Sequence, residues 1–135
     1  VVLAVHIIAE LYGCNRDLIS FVENLRPLME QAVEKSGLTE ITSQYHQFTP
    51  FGVTGFVLLA ESHISIHTWP EYQYAAVDIY TCSTEEKANN ALTTILEGLS
   101  PQKVEVKKFY RGEIDGFHPI SPDRYKAGIN LRSES

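Results

Sequence analysis

The chain has 135 residues, 44% of them hydrophobic and 21% charged, with a formal net charge of −6 and a pI near 5.3; that length supplies the core of one domain and no second one. The excess of carboxylates excludes the clustered Lys and Arg of a nucleic-acid surface, and no run approaches the ~18 apolar residues of a membrane span. Two cysteines, Cys14 and Cys82, are too few for a disulfide framework and point to a reducing compartment.

Residues 1–9 are predicted as a strand. The run lacks a preceding basic region and a small-residue cleavage site before Glu10, so a core strand in a cytoplasmic protein is expected rather than a signal peptide. Asn15 is placed to cap a helix from Arg16, with Leu18, Val22, Leu25, Met29 and Ala32 at helical spacing. Pro27 interrupts that pattern and predicts a kink or a second helix starting there, and Gly37 a stop. Residues 40–48 and 53–60 read as strands joined by the turn-like Thr49-Pro50-Phe51-Gly52. Further strands are expected over 63–68 and 75–82. Ser83-Thr84-Glu85-Glu86 reads as a capping box with Ser83 as the cap, opening a helix whose Ala88, Ala91, Leu92, Ile95, Leu96 and Leu99 share one face. Val104 and Val106 alternate with polar residues in a last strand, and the polar tail from Arg111 onward is expected to be loop or disordered. These elements predict an α+β two-layer sandwich, a largely antiparallel sheet with helices on one face. The other face, where apolar, needs cover, which favours a homodimer of stacked sheets.

The segment from Glu61 to Tyr72, ESHISIHTWPEY, concentrates two serines, two histidines, two carboxylates and the single tryptophan immediately after the apolar run 56–60. His63 and His67 have the i, i+4 spacing of a helical zinc site. Ile64 and Ile66 alternate with polar residues, however, so the segment reads as a strand, where four residues span about 13 Å. Metal–nitrogen bonds of about 2 Å cannot share an ion across that gap, and no metal is expected. Lys35, Lys87 and Lys103 have no glycine-rich phosphate cradle beside them, which argues against pyridoxal phosphate. Ser62 has an ordinary reading, a hydroxyl bonded to its own backbone. Its reactive reading is attack on the Glu61 carbonyl, which planar peptides resist unless the bond is distorted or the carbonyl polarised. Ser62 and His67 differ by an odd number and face opposite sides of a regular strand, so their cooperation requires a bulge or turn near Glu61-Ser62.

Together with Phe48-Thr49-Pro50-Phe51-Gly52-Val53-Thr54-Gly55 and Asp78-Ile79-Tyr80-Thr81-Cys82, this segment resembles prokaryotic S-adenosylmethionine decarboxylase proenzymes; the likeness runs over residues 5–110. The resemblance implies self-cleavage between Glu61 and Ser62 into chains 1–61 and 62–135, with Ser62 converted to a covalent pyruvoyl group. Such a ketone forms a Schiff base with a substrate amine and acts as an electron sink, the role of pyridoxal phosphate elsewhere. The resemblance further implies that His67 moves a proton during processing, that Cys82 protonates the decarboxylated carbon, and that the Thr54 hydroxyl assists the acyl shift where the family often has serine. It assigns Phe48, Ile64 and Glu71 to substrate binding, supply of aminopropyl donor for spermidine to the product, and a homodimer to the assembly. It leaves His63 a supporting part at the turn. Thr54, Gln73 and Ser83 depart from the commonest pattern. Plainer readings stand beside these: core packing for Phe48, a surface ion pair for Glu71, a small buried hydrophobe for Cys82 and a structural role for Cys14. The alternatives are a pyruvoyl enzyme acting on ornithine or arginine, and a non-catalytic regulatory paralogue.

Overall fold

A computed structural model describes residues 1–123. Six strands form one antiparallel sheet: β1 (Val2–Tyr12), β2 (Glu40–Gln47), β3 (Val53–Leu59), β4 (Ser62–Trp69), β5 (Tyr74–Thr81) and β6 (Lys103–Glu113), in the order β2-β3-β4-β5-β1-β6. Period-2 alternation builds it. Val5, Ile7, Ala9 and Leu11 of β1, Ile64 and Ile66 of β4, and Val77 and Ile79 of β5 point to one buried face. Helices α1 (Arg16–Ser20), α2 (Val22–Ser36) and α3 (Glu85–Leu99) cover that face, adding Leu25, Met29, Ile95 and Leu99 to the core. The expected two-layer α+β sandwich is what forms.

The break between the first two helices falls at Phe21, not at Pro27. Phe21 is extended (φ −133°, ψ 142°), and Pro27 lies inside α2, forfeiting one backbone bond in the second turn. The Gln47 side chain explains the position: its amide donates to Ser20 O at 3.0 Å and its oxygen accepts from Val22 N–H at 2.8 Å. One residue from a distant strand thus satisfies the end of one helix and the start of the next. The cap of α3 is Thr84, whose hydroxyl accepts from Lys87 N–H at 3.2 Å, not Ser83. The third helical residue is then a lysine, and no reciprocal box forms. Strand β6 runs to Glu113, past the expected start of the tail at Arg111, because pairing with β1 continues to Val2↔Glu113. The expected tail is loop over residues 114–121, and its part from 124 onward lies outside the described residues.

Gly55 sits in β3 between Tyr45 and Ile66, and a Cβ there would lie 2.7 Å from the Tyr45 ring and 3.3 Å from Ile66. Gly55→Ala is expected to destabilise the fold by about 1–3 kcal/mol, an overpacking cost. Urea unfolding followed by circular dichroism measures it; a midpoint equal to wild type would show that Tyr45 moves aside without cost.

Candidate active site

Leu59 pairs with Ser62, so β3 and β4 join through a two-residue turn, Ala60-Glu61, and the Glu61–Ser62 peptide lies at its exit. Several bonds hold this turn. Ala60 N–H donates to Thr39 O at 2.9 Å, and the Glu61 carboxylate accepts from Thr39 N–H at 3.1 Å. The Glu61 carbonyl oxygen accepts from Cys82 N–H at 2.9 Å. Ser62 has φ +140°, a region non-glycine residues seldom occupy, at a cost on the order of 1–3 kcal/mol. A strained φ and a polarised carbonyl therefore meet at the Glu61–Ser62 junction.

Cys82 is exposed, unlike Cys14, whose thiol burial pushes up to about 11. A small cavity of about 130 Å³ beside Cys82 is lined by Val5, Ser83, Glu85 and Tyr110. There the Tyr110 hydroxyl (2.9 Å) and then the Lys108 ammonium (3.3 Å) hold the Glu85 carboxyl below its ordinary range.

The outer face of the sheet carries the other group. Thr54 and His67 are opposite each other on β3 and β4, with Thr54 Oγ1 3.2 Å from His67 Nδ1. They line a cavity of about 260 Å³ with Phe48, Phe51, Trp69 and Glu71. Phe48 is 47% exposed, so it is not a core residue, and Glu71, on a 3-10 turn at Pro70–Tyr72, makes no ion pair among the described residues. Thr68, which sequence reasoning passed over, fixes the floor: buried, it donates to Ile19 O at 2.7 Å and accepts from Val53 N–H at 2.9 Å. Ile64 is fully buried on the helix side, so its side chain cannot line an outer-face site. That assignment is corrected.

Of the bulge or turn that cooperation of Ser62 and His67 requires near Glu61-Ser62, the structure has the turn, at Ala60-Glu61, and no bulge. Register is unbroken from Ser62 to His67 against β3 and from Ser62 to Trp69 against β5, and the irregularity is confined to the φ of Ser62. Five strand residues separate Ser62 from His67 by roughly 16 Å. Within one chain the candidate residues therefore form two groups at opposite ends of β4: Glu61, Ser62 and Cys82 at one end, and Thr54, His67, Phe48 and Glu71 at the other.

A two-layer α+β domain with a held Glu-Ser peptide, its serine at positive φ, beside an exposed cysteine matches one class. Residues 5–112 fit the family model for S-adenosylmethionine decarboxylase, which places the protein among the carboxy-lyases. An S-adenosylmethionine decarboxylase proenzyme of Persephonella marina is 50% identical over 112 residues, 83% of this chain and 84% of that protein. One of Aquifex aeolicus is 50% identical over 113 residues, 84% of each. A crystal structure of the adenosylmethionine decarboxylase from Aquifex aeolicus superimposes with a TM-score of 0.83 at 46% identity, covering 88% of this chain and 98% of that one. The chain belongs to the S-adenosylmethionine decarboxylase family.

Proposed function

We propose that the protein cleaves itself between Glu61 and Ser62 and then decarboxylates S-adenosylmethionine, the product serving as aminopropyl donor for spermidine. The observation that carries this reading is the Glu61–Ser62 peptide: a carbonyl already accepting from Cys82 N–H, followed by a residue at φ +140°. Attack by Ser62 Oγ on the Glu61 carbonyl carbon places negative charge on the oxygen that the Cys82 amide already holds, and a single donor of this kind is worth roughly 10²–10³ in rate. The C–N bond breaks and the nitrogen takes the hydroxyl proton, leaving an ester. A base removes the Cα proton of residue 62, the ester C–O bond breaks, and Glu61 leaves as a carboxylate. Water then displaces ammonia from the dehydroalanine. The pyruvoyl group so formed supplies a ketone that accepts the electrons left when CO₂ departs. Ser62 and the turn that holds it fit that group. Exposed Cys82, next to the cleaved peptide, is placed to return a proton to the decarboxylated carbon.

Two copies account for the split site. The outer face exposes the apolar side chains of Ile8, Phe56, Leu58, Trp69 and Phe109, between 36% and 46% each, which a second sheet would cover. A two-fold axis between stacked sheets and across the strands sets the Ser62 end of one protomer against the His67 end of its partner. His67, with its Nδ1 turned to Thr54, then lies at the partner's Ser62 end, where the φ of +140° takes Ser62 out of the regular strand that would turn it to the helix side, and an imidazole suits the proton transfers of processing. Phe48 and Glu71 complete the pocket with an aromatic face for adenine and an acceptor for the ribose diol. These features favour a nucleoside substrate over ornithine or arginine.

Denaturing mass spectrometry and CO₂ release from S-adenosylmethionine, ornithine and arginine test this reading. Fragments ending at 61 and beginning at 62, with turnover of S-adenosylmethionine, are expected; a chain that stays whole on prolonged incubation sinks it, and turnover of a basic amino acid alone sinks the substrate. Glu71→Gln is expected to raise KM for S-adenosylmethionine about tenfold, since a charge-assisted bond in a dry site is worth roughly 1.5–3 kcal/mol. Fragment formation should be unchanged in that variant, and an unaltered KM would remove Glu71 from the pocket.

A further inference from the structure

The outer face carries a third group, which neither the cleaved turn nor the cavity uses. Asp78 of β5 lies between two histidines: one carboxylate oxygen meets His6 Nε2 and the other lies 3.3 Å from His63 Nε2. Arg111 Nη1 reaches the far nitrogen of His6 at 3.0 Å. The His63 ring is stacked between Phe56 (centroids 5.3 Å, 21°) and Tyr80 (5.7 Å, 3°), and Tyr80 is itself braced by the His6 edge at 5.2 Å and the Arg111 guanidinium at 5.7 Å. Stacking on two sides fixes the plane of an imidazole but leaves it free to turn within that plane. The Asp78 carboxylate at one ring nitrogen removes that freedom.

His63 is the residue joined to Ser62. A φ of +140° persists only where the chain is held on both sides. Upstream, Cys82 N–H and Thr39 N–H hold Glu61. Downstream, the only side chain next to Ser62 is that of His63. We propose that Asp78 is a positioning residue for the reaction of residue 62: it locks His63, and through His63 it holds the backbone of Ser62 in its reactive conformation before cleavage and after it. Cleavage frees residue 62 from Glu61 and from everything that holds Glu61, so in the cut protein the strand pairing of β4 and this downstream anchor carry the whole task. The inference rests on the assignment of Ser62 above.

A double-mutant cycle in the whole chain tests it. Asp78→Asn and His63→Gln are each expected to slow the appearance of fragment 62–135 by about tenfold on denaturing mass spectrometry. The double variant should also lose about tenfold, where independent effects would multiply to about a hundredfold. In the cleaved Asp78→Asn protein, kcat should fall about tenfold with KM for S-adenosylmethionine within about twofold, because Asp78 bonds His6 and His63 and does not line the cavity of Phe48 and Glu71; a loosened sheet would move both. Cleavage at the wild-type rate in either single variant, a multiplicative double, KM rising as kcat falls, or loss of the folded circular dichroism spectrum would each overturn the proposal. A wild-type chain that stays whole sinks the proposed function and this inference with it. A wild type that is cut but leaves S-adenosylmethionine unchanged sinks the substrate alone, and the cycle is then decided on cleavage.

Discussion

The Ser62→Ala chain is expected to stay whole and to release no CO₂ above background, a loss on the order of 10⁶-fold or more against an ordinary enzymatic rate. No neighbouring group replaces the missing atom. Thr39 N–H holds the Glu61 carboxylate and Cys82 N–H its carbonyl oxygen, and a backbone N–H polarises a carbonyl but cannot attack it. The same substitution leaves the fold intact: alanine meets the same backbone restriction at φ +140° as serine, and the change removes one hydroxyl from a half-buried site. Its thermal midpoint should therefore match wild type, within the about 0.5 kcal/mol of an ordinary surface change. Ser62→Gly separates the two properties of the position. It too should stay whole, but it should be more stable than Ser62→Ala by about 1 kcal/mol, since glycine occupies positive φ without strain. Any fragment beginning at residue 62 in either variant would show that the serine oxygen is not the nucleophile.

Local chemistry made much of this protein legible, and partners distant in sequence account for what was not. Asn15 caps α1 as its side chain predicts, accepting from Asp17 N–H at 3.0 Å, and Gly37 ends α2 at φ +79°. The strands follow their alternation of apolar and polar residues, because the helix layer covers one sheet face only. Proline at 27 is the strongest local breaker in the first helical region, yet the break moved six residues upstream to where the Gln47 side chain bonds both helix ends. The reactive residues stood out as residue types, while their grouping did not. That Ser62 and His67 share one unbroken strand depends on register against β3 and β5. His6, His63, Asp78 and Arg111 come from four strands and meet only once the order β4-β5-β1-β6 is set. Ile64, one residue beyond His63, was assigned to the substrate from resemblance, although its own alternation with Ile66 places it in the core.

His67→Ala is expected to leave most of its chains uncut, and its partial rescue by a chain that is itself uncuttable is the sharper result. Roughly 16 Å of strand separates His67 from Ser62 in one chain, well beyond a proton transfer that needs about 3 Å. If processing requires both, the imidazole must come from a second copy. In a symmetric dimer each site would then take Glu61, Ser62 and Cys82 from one protomer and Thr54 and His67 from its partner. Co-expression of Ser62→Ala with His67→Ala produces mixed dimers with one site that lacks both groups and one that has both. With random pairing at equal amounts, about half of the His67→Ala chains sit in mixed dimers. About half of them should be cut at residue 62, against few in the homodimer, and the Ser62→Ala chains should remain whole. Isotope labelling of one chain type identifies the fragments by mass, and analytical ultracentrifugation confirms that dimers form. Mixed dimers in which no His67→Ala chain is cut would place the processing proton transfer on another group. Cutting of His67→Ala alone at the wild-type rate would do the same without any partner. Restored cutting in the mixture alone would require both that the sheets stack face to face and that their strands run so that opposite ends meet.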